Sequence, residues 1–146
     1  MIRRAEEKDI DIIAEYNCRL ALETEGIKLD QEQVKKGVKQ GIIDDKAQYF
    51  LYEIRGQVVG QLMLTKEWSD WRNGYFYWIQ SVYVNKDYRR QGIFKKLYSK
   101  VEDIVKDSSE SCGIRLYVEK DNKKAKNTYE NLGMTKTPYH IYEWEI

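Results

Sequence analysis

A chain of 146 residues, 42% of them hydrophobic, suits one domain spanning residues 1–146 with a core of ordinary size. Twenty-five Lys and Arg against twenty-four Asp and Glu leave a net charge of +1, which argues against a nucleic-acid module or an acidic-lipid binder, so any anion site must be local. No apolar run approaches the ~18 residues of a membrane span and the start MIRRAEEKDI lacks a signal peptide's apolar centre, so a cytoplasmic protein without membrane partners is expected.

Residues 2–5 can form a short first strand. Ile10, Ile13, Asn17, Leu20 and Ala21 then recur at helical spacing and predict an amphipathic helix. Asp30, with Gln33 three positions on, predicts the capped start of a second helix ending near Gly41. QYFLYEI and VVGQLMLT flank Arg55-Gly56 as a hairpin, and KEWSDWRNG reads as a polar, tryptophan-bearing loop. YFYWIQSVYV is nearly continuous in aromatic and β-branched residues, as for a strand covered on both faces. From Gly92 onward, Ile93, Leu97, Val101, Ile104 and Val105 predict a helix to about Lys106. GIRLYVE is another strand, and DNKKAKNTYENLGM is a helix with Asn122 or Asp121 as N-cap and Gly133 as its stop. YHIYEWEI, with Pro138 at its start, is expected to supply a last strand or strand pair, with His140, Tyr142 and Trp144 on one face. The two cysteines, Cys18 and Cys112, are distant in sequence and read as buried reduced thiols. The order βααβββαβαβ argues an α/β domain with a mixed sheet and helices on both faces.

The stretch DYRRQGIFKKLYSK carries the first chemical signal. A strand that runs into a helix through Gly92 leaves the first backbone N–H groups of that helix without intrahelical partners, and with the helix dipole they make an anion cradle beside Arg89 and Arg90. The glycine pattern is neither GxGxxG nor GxxxxGK[ST], so a dinucleotide or P-loop site is not supported. The second signal is Asn122, Ala125 and Tyr129, which share one face of the helix after the next strand.

Together these stretches resemble the two hallmark motifs of the GNAT family of N-acetyltransferases. VYVNKDYRRQGIF is similar to a strand entering R/Q-x-x-G-x-G/A, and YVEKDNKKAKNTYENLGM is similar to a strand followed by N-x-x-A-x-x-x-Y-x-x-L/x-G-F. Phe94 departs from the pattern, standing where a small residue is usual. The resemblance covers essentially the whole chain and implies the GNAT fold, with acetyl-CoA as cosubstrate and no metal. It implies that Val82 and Val84, around Tyr83, pair their backbone with the pantetheine arm. The N–H groups of Arg90, Gln91, Gly92, Ile93 and Phe94, with Arg89 alongside, would grip the pyrophosphate, and Asn122 would hold the arm.

The implied reaction moves an acetyl group to a primary amine by direct attack in a ternary complex, and Tyr129 is the expected acid for the departing thiolate. The amine base stays open: Gln80 stands where relatives often carry an acid, leaving water, Glu119 or a loop acid such as Asp70. Glu23, Glu25, Glu67 and Asp70, with Trp68, Trp71, Tyr139, Tyr142 and Trp144, are the candidates for drawing in a cationic amine, small molecule or peptide. A homodimer is compatible with these aromatics. The competing class is an acyl-CoA-binding sensor or structural domain without turnover, motivated by Gln80.

Overall fold

The computed structural model describes all 146 residues as β1 (Ile2–Arg4), α1 (Ile10–Glu25), α2 (Gln31–Ile43), β2 (Gln48–Ile54), β3 (Gln57–Ser69), β4 (Gly74–Val84), α3 (Ile93–Asp107), β5 (Ser111–Leu116) and α4 (Lys123–Asn131). Single 3-10 turns precede α1 at Glu7–Asp9 and follow β4 at Lys86–Tyr88. By internal contacts the chain divides into two compact units, Met1–Leu116 and Tyr117–Ile146.

In the first unit, five strands lie in the order β1-β2-β3-β4-β5, antiparallel except for the parallel pair β4 and β5, so the sheet is mixed as expected. Side chains alternate across a strand, and β2 shows what covers each face. Tyr49 and Leu51 pack with Ile13 of α1 and Val38 of α2, whereas the intervening Tyr52 accepts a hydrogen bond from Lys96 of α3 at 3.1 Å. The helices therefore cover both faces. Gly60 sits opposite Tyr52, where a Cβ would come within 2.9 Å of Ile93 Cγ2, so α3 lies this close only over a glycine.

Local chemistry explains the element ends. Asp30 caps α2, its carboxylate accepting from the N–H groups of Glu32 and Gln33 at 3.0 and 3.4 Å. Arg55 and Gly56, both at positive φ, form the two-residue turn that joins β2 to β3. Asp9, almost fully buried, receives two hydrogen bonds from Arg3 at 2.7 and 2.8 Å, so its charge is compensated where water cannot reach.

Two expectations for this unit are corrected. KEWSDWRNG is a tight hairpin end rather than a loop: β3 runs to Ser69, β4 starts at Gly74, and only residues 70–73 turn. Cross-strand pairs the sequence did not advertise hold it, with Trp68 edge-on to Tyr75 at 4.9 Å and the Lys66 ammonium 5.4 Å from both the Tyr75 and Tyr77 rings. Cys18 and Cys112 are free but half-buried rather than buried.

The second unit is α4 and the segment after it. Asn122 is the N-cap, its side chain accepting from the Ala125 N–H at 3.1 Å. Gly133, at φ 91, closes the helix together with a 3.1 Å bond from the Met134 N–H to the Tyr129 carbonyl. The expected last strand does not form: residues 139–146 join no ladder, and Tyr139, Tyr142 and Trp144 are 71%, 98% and 89% exposed. Alternation shows that a segment could line a sheet, but a strand also needs an edge that pairs with it.

Candidate active site

The decisive feature of β4 is a change of register. Opposite β3, Gln61 pairs with Tyr83 but Met63 pairs with Gln80, so β4 carries one extra residue here, at Ser81 and Val82. Ser81 has φ 51, a left-handed conformation uncommon outside glycine. On its other side, β4 pairs with β5 only as far as Ile79 opposite Leu116. Residues 80–84 thus keep β3 on one edge and have no ladder partner in the first unit on the other. The Asn85 N–H donates to the Val59 carbonyl at 2.9 Å, which makes that pair hydrogen-bonded and the next, Val84 with Gly60, non-bonded. The N–H and C=O of Val84 therefore face the open edge, and those of Tyr83 face β3.

The turn into α3 stands immediately after this edge. Arg90 and Gly92 both take positive φ, at 63 and 74, and Gly92 is the N-cap with no side-chain capping bond. The first helical N–H with an intrahelical acceptor is that of Lys96, which donates to Gly92 at 3.1 Å. The N–H groups of Ile93 and Lys95 precede it in the helix, where the first turn has no intrahelical acceptor to offer. A Cβ built on Gly92 meets nothing within 4 Å, so the space beside this N-cap is open. That combination fits an anionic group.

Arg89 is tied elsewhere. Its guanidinium pairs with Glu23 at 2.6 Å, donates to the Val84 carbonyl at 2.9 Å, and lies 5.4 Å from the Tyr83 ring centroid. The Tyr83 hydroxyl donates to the other Glu23 oxygen at 3.0 Å. Partial burial works against the Glu23 carboxylate, but the Arg89 guanidinium and the Tyr83 hydroxyl outweigh it and hold its pKa below the ordinary range. Burial, with the neighbouring Glu23, pushes the Tyr83 phenol up. In the second unit, burial raises the Tyr129 phenol as well, so it stays protonated at neutral pH.

A family model, the acetyltransferase (GNAT) family, matches residues 11–134, from α1 to just beyond α4. The chain belongs to the GNAT family. A possible acetyltransferase from Clostridium difficile 630 is 50% identical and superposes with a TM-score of 0.94, over 100% of this chain and 97% of that one. A predicted acetyltransferase from Clostridium acetobutylicum, solved with acetyl-CoA, shares the fold at 17% identity and a TM-score of 0.80, over 98% of this chain and 94% of that one. An aminoglycoside acetyltransferase from an uncultured soil metagenomic sample, in complex with sisomicin, does so at 18% and 0.76, over 100% and 96%. No curated protein matches the chain in sequence.

Within this GNAT chain most of the first unit's residues singled out from sequence fall into three groups. Val82, Val84 and the turn from Arg90 to Phe94 lie together along the open edge and the start of α3. Glu23 joins Tyr83 and Arg89, so its charge is already matched, and Glu25 is exposed at the last turn of α1. Glu67 and Asp70 stand at the other end of β4: Glu67 is opposite Phe76, about 16 Å along the strand from Ser81, and pairs with Arg115 at 2.8 Å. Gln80 donates to Thr65 Oγ1 at 2.8 Å, and Glu119 accepts from the Asp121 N–H at 2.8 Å. No group of three or more His, Cys, Asp or Glu could hold a metal ion. Sequence reasoning missed Ser81 and its neighbour Gln61; the only trace was a polar residue interrupting each apolar run.

Proposed function

We propose that this chain is an acetyl-CoA-dependent N-acetyltransferase acting on a primary amine by direct attack in a ternary complex. The observation that carries the reading is the open edge of β4 beyond Ile79, ending beside uncapped N–H groups at the start of α3. An extended pantetheine arm can add to such an edge as a strand would, and a pyrophosphate suits the helix start. When bound, acetyl-CoA supplies the activated acyl group as a thioester.

The remaining roles belong to the chain. Val82 and Val84 offer backbone groups to the arm, with the Val84 carbonyl already engaged by Arg89 and its N–H still available as a donor. The backbone from Arg90 to Phe94 holds the diphosphate, while Arg89, bound to Glu23, braces the turn. Asn122, whose side-chain oxygen caps α4, has its amide nitrogen for the arm. Tyr129, kept protonated by burial, donates a proton to the leaving thiolate. The amine's proton leaves through water or Glu119, because Gln80 cannot accept it and Asp70 lies at the far end of β4. A small cationic amine or a peptide amine is the acceptor class.

Thiol release from acetyl-CoA over a panel of amines tests this reading, and binding without release for every amine would favour the acyl-CoA sensor instead. Calorimetry tests the cradle: the parent is expected to bind CoA in the micromolar range, about −7 to −8 kcal/mol. Gly92→Asp places an anion and a strained φ where phosphate should sit, and unchanged affinity in that variant would remove the cradle from the site.

A further inference from the structure

Only two polar or charged residues of this chain are buried, Asp9 and Gln61. Asp9 is explained by Arg3; Gln61 is not explained by stability. Its side chain is 0% exposed, and its Oε1 has no hydrogen-bond partner, which is a cost an apolar residue of similar length would avoid. What Gln61 contributes is its amide nitrogen. Nε2 donates to Asn17 Oδ1 on α1 at 2.8 Å and to the Ser81 carbonyl in the β4 bulge at 3.2 Å.

The second bond fixes a specific peptide. The extra residue in β4 breaks the regular ladder opposite β3, and the Gln61 side chain supplies a donor to the Ser81 carbonyl there. The peptide unit is planar and trans, so once the Ser81 C=O is held toward Gln61, the Val82 N–H must point the opposite way. Asn17 in turn orients the amide that does the holding.

We propose that Gln61 is a positioning residue which, steadied by Asn17, locks the peptide between Ser81 and Val82 so that the Val82 N–H is presented to the acyl carbonyl oxygen of the bound thioester. This rests on the acetyl-transfer reading above. A donor aimed in advance at an oxygen that gains charge lowers the barrier without strengthening the ground-state complex, so the effect belongs in kcat.

The experiment uses the full chain and two variants. Gln61→Met keeps length and apolar volume while removing both donated bonds and the unpaired oxygen. It is expected to lower kcat by about ten- to a hundredfold, as for a misplaced catalytic group, with CoA affinity by calorimetry unchanged. Asn17→Ala, at a half-buried site, should give a smaller loss of the same kind and carries the test if Gln61→Met does not fold. The structural readout is the Val82 amide proton by NMR. In the parent it should shift downfield with acetyl-CoA relative to CoA, and in Gln61→Met that difference should vanish. Parent-like kcat together with a parent-like Val82 shift in either folded variant would overturn the assignment. If the parent binds acetyl-CoA but acetylates no amine, the acetyl-transfer reading fails, and the Val82 shift alone then decides whether Gln61 sets the bulge.

Discussion

Residues 1–116 and 117–146 are built on different terms. Every buried side chain lies in the first unit, from Ala5 to Val101, and the second has none, although it carries the asparagine and tyrosine of a family motif. The first unit's side chains largely answer to packing and the second's do not. The same chemical change should therefore register as lost stability in one and as lost activity, or nothing, in the other.

The largest effect is expected where packing is weakest. Tyr129→Phe keeps the ring and removes the hydroxyl, so kcat should fall ~10²- to 10⁴-fold, or roughly 3 to 5 kcal/mol of barrier, while CoA affinity and Tm barely move. The measurement belongs under conditions where chemistry limits turnover. An unchanged kcat would make Tyr129 a packing residue and erase the contrast.

Next is a core deletion in the first unit. Leu51 is fully buried in the cluster with Ile13, Val38 and Tyr49, and Leu51→Ala should cost about 2 to 5 kcal/mol in a urea titration. The folded fraction should retain the parent's kcat. A loss of turnover per folded molecule would mean that packing under the sheet also sets the site.

What the sequence reveals depends on how far apart the deciding residues lie. Local rules worked wherever a structure is decided by neighbours in the chain: Asp30 at its cap, Arg55-Gly56 in its turn, and the Ile93, Leu97, Val101 stripe on α3 all appear where spacing predicts. They failed where two distant segments decide together. The bulge at Ser81 is a register relation between β3 and β4 that neither strand's residues spell out, and Glu23 meets Tyr83 and Arg89 across 60 and 66 positions. Glu67 and Glu23 look alike in sequence as acids near aromatics, yet the β3–β4 hairpin carries Glu67 to the opposite end of the strand. The expected last strand is absent because alternation reports compatibility with a sheet and not the presence of an edge.

A smaller effect, and one set by pH, concerns Asp9. The hydrogen bonds from Arg3 lead in holding its carboxyl below the ordinary carboxylate range, against the opposing effect of burial. With the folded pKa depressed, the contribution to stability is present above the unfolded value of ~3.9 and is lost as pH falls through the folded one. Asp9→Asn should cost about 1 to 3 kcal/mol at pH 7 and flatten the acid limb of the stability curve. If that limb kept the parent's slope, other carboxylates would be responsible for it.

The smallest effect should come from the far end of the second unit. Trp144 is 89% exposed and belongs to no ladder, so Trp144→Ser gives up little burial and creates no cavity. Surface changes of this kind fall within about ±0.5 kcal/mol, against several for Leu51→Ala, and a urea midpoint at low protein concentration can separate the two. Concentration is the informative variable. Tyr142, Trp144 and Ile146 alternate in sequence with Glu143 and Glu145, and all three are strongly exposed, leaving an apolar surface on this unit. If the parent's midpoint rises with concentration and the Trp144→Ser midpoint does not, a second copy covers these side chains, because only association makes stability depend on protomer concentration. If both midpoints are flat and equal, Trp144 contributes nothing to the fold, and the division between a packed unit and an unpacked one holds to the last residues of the chain.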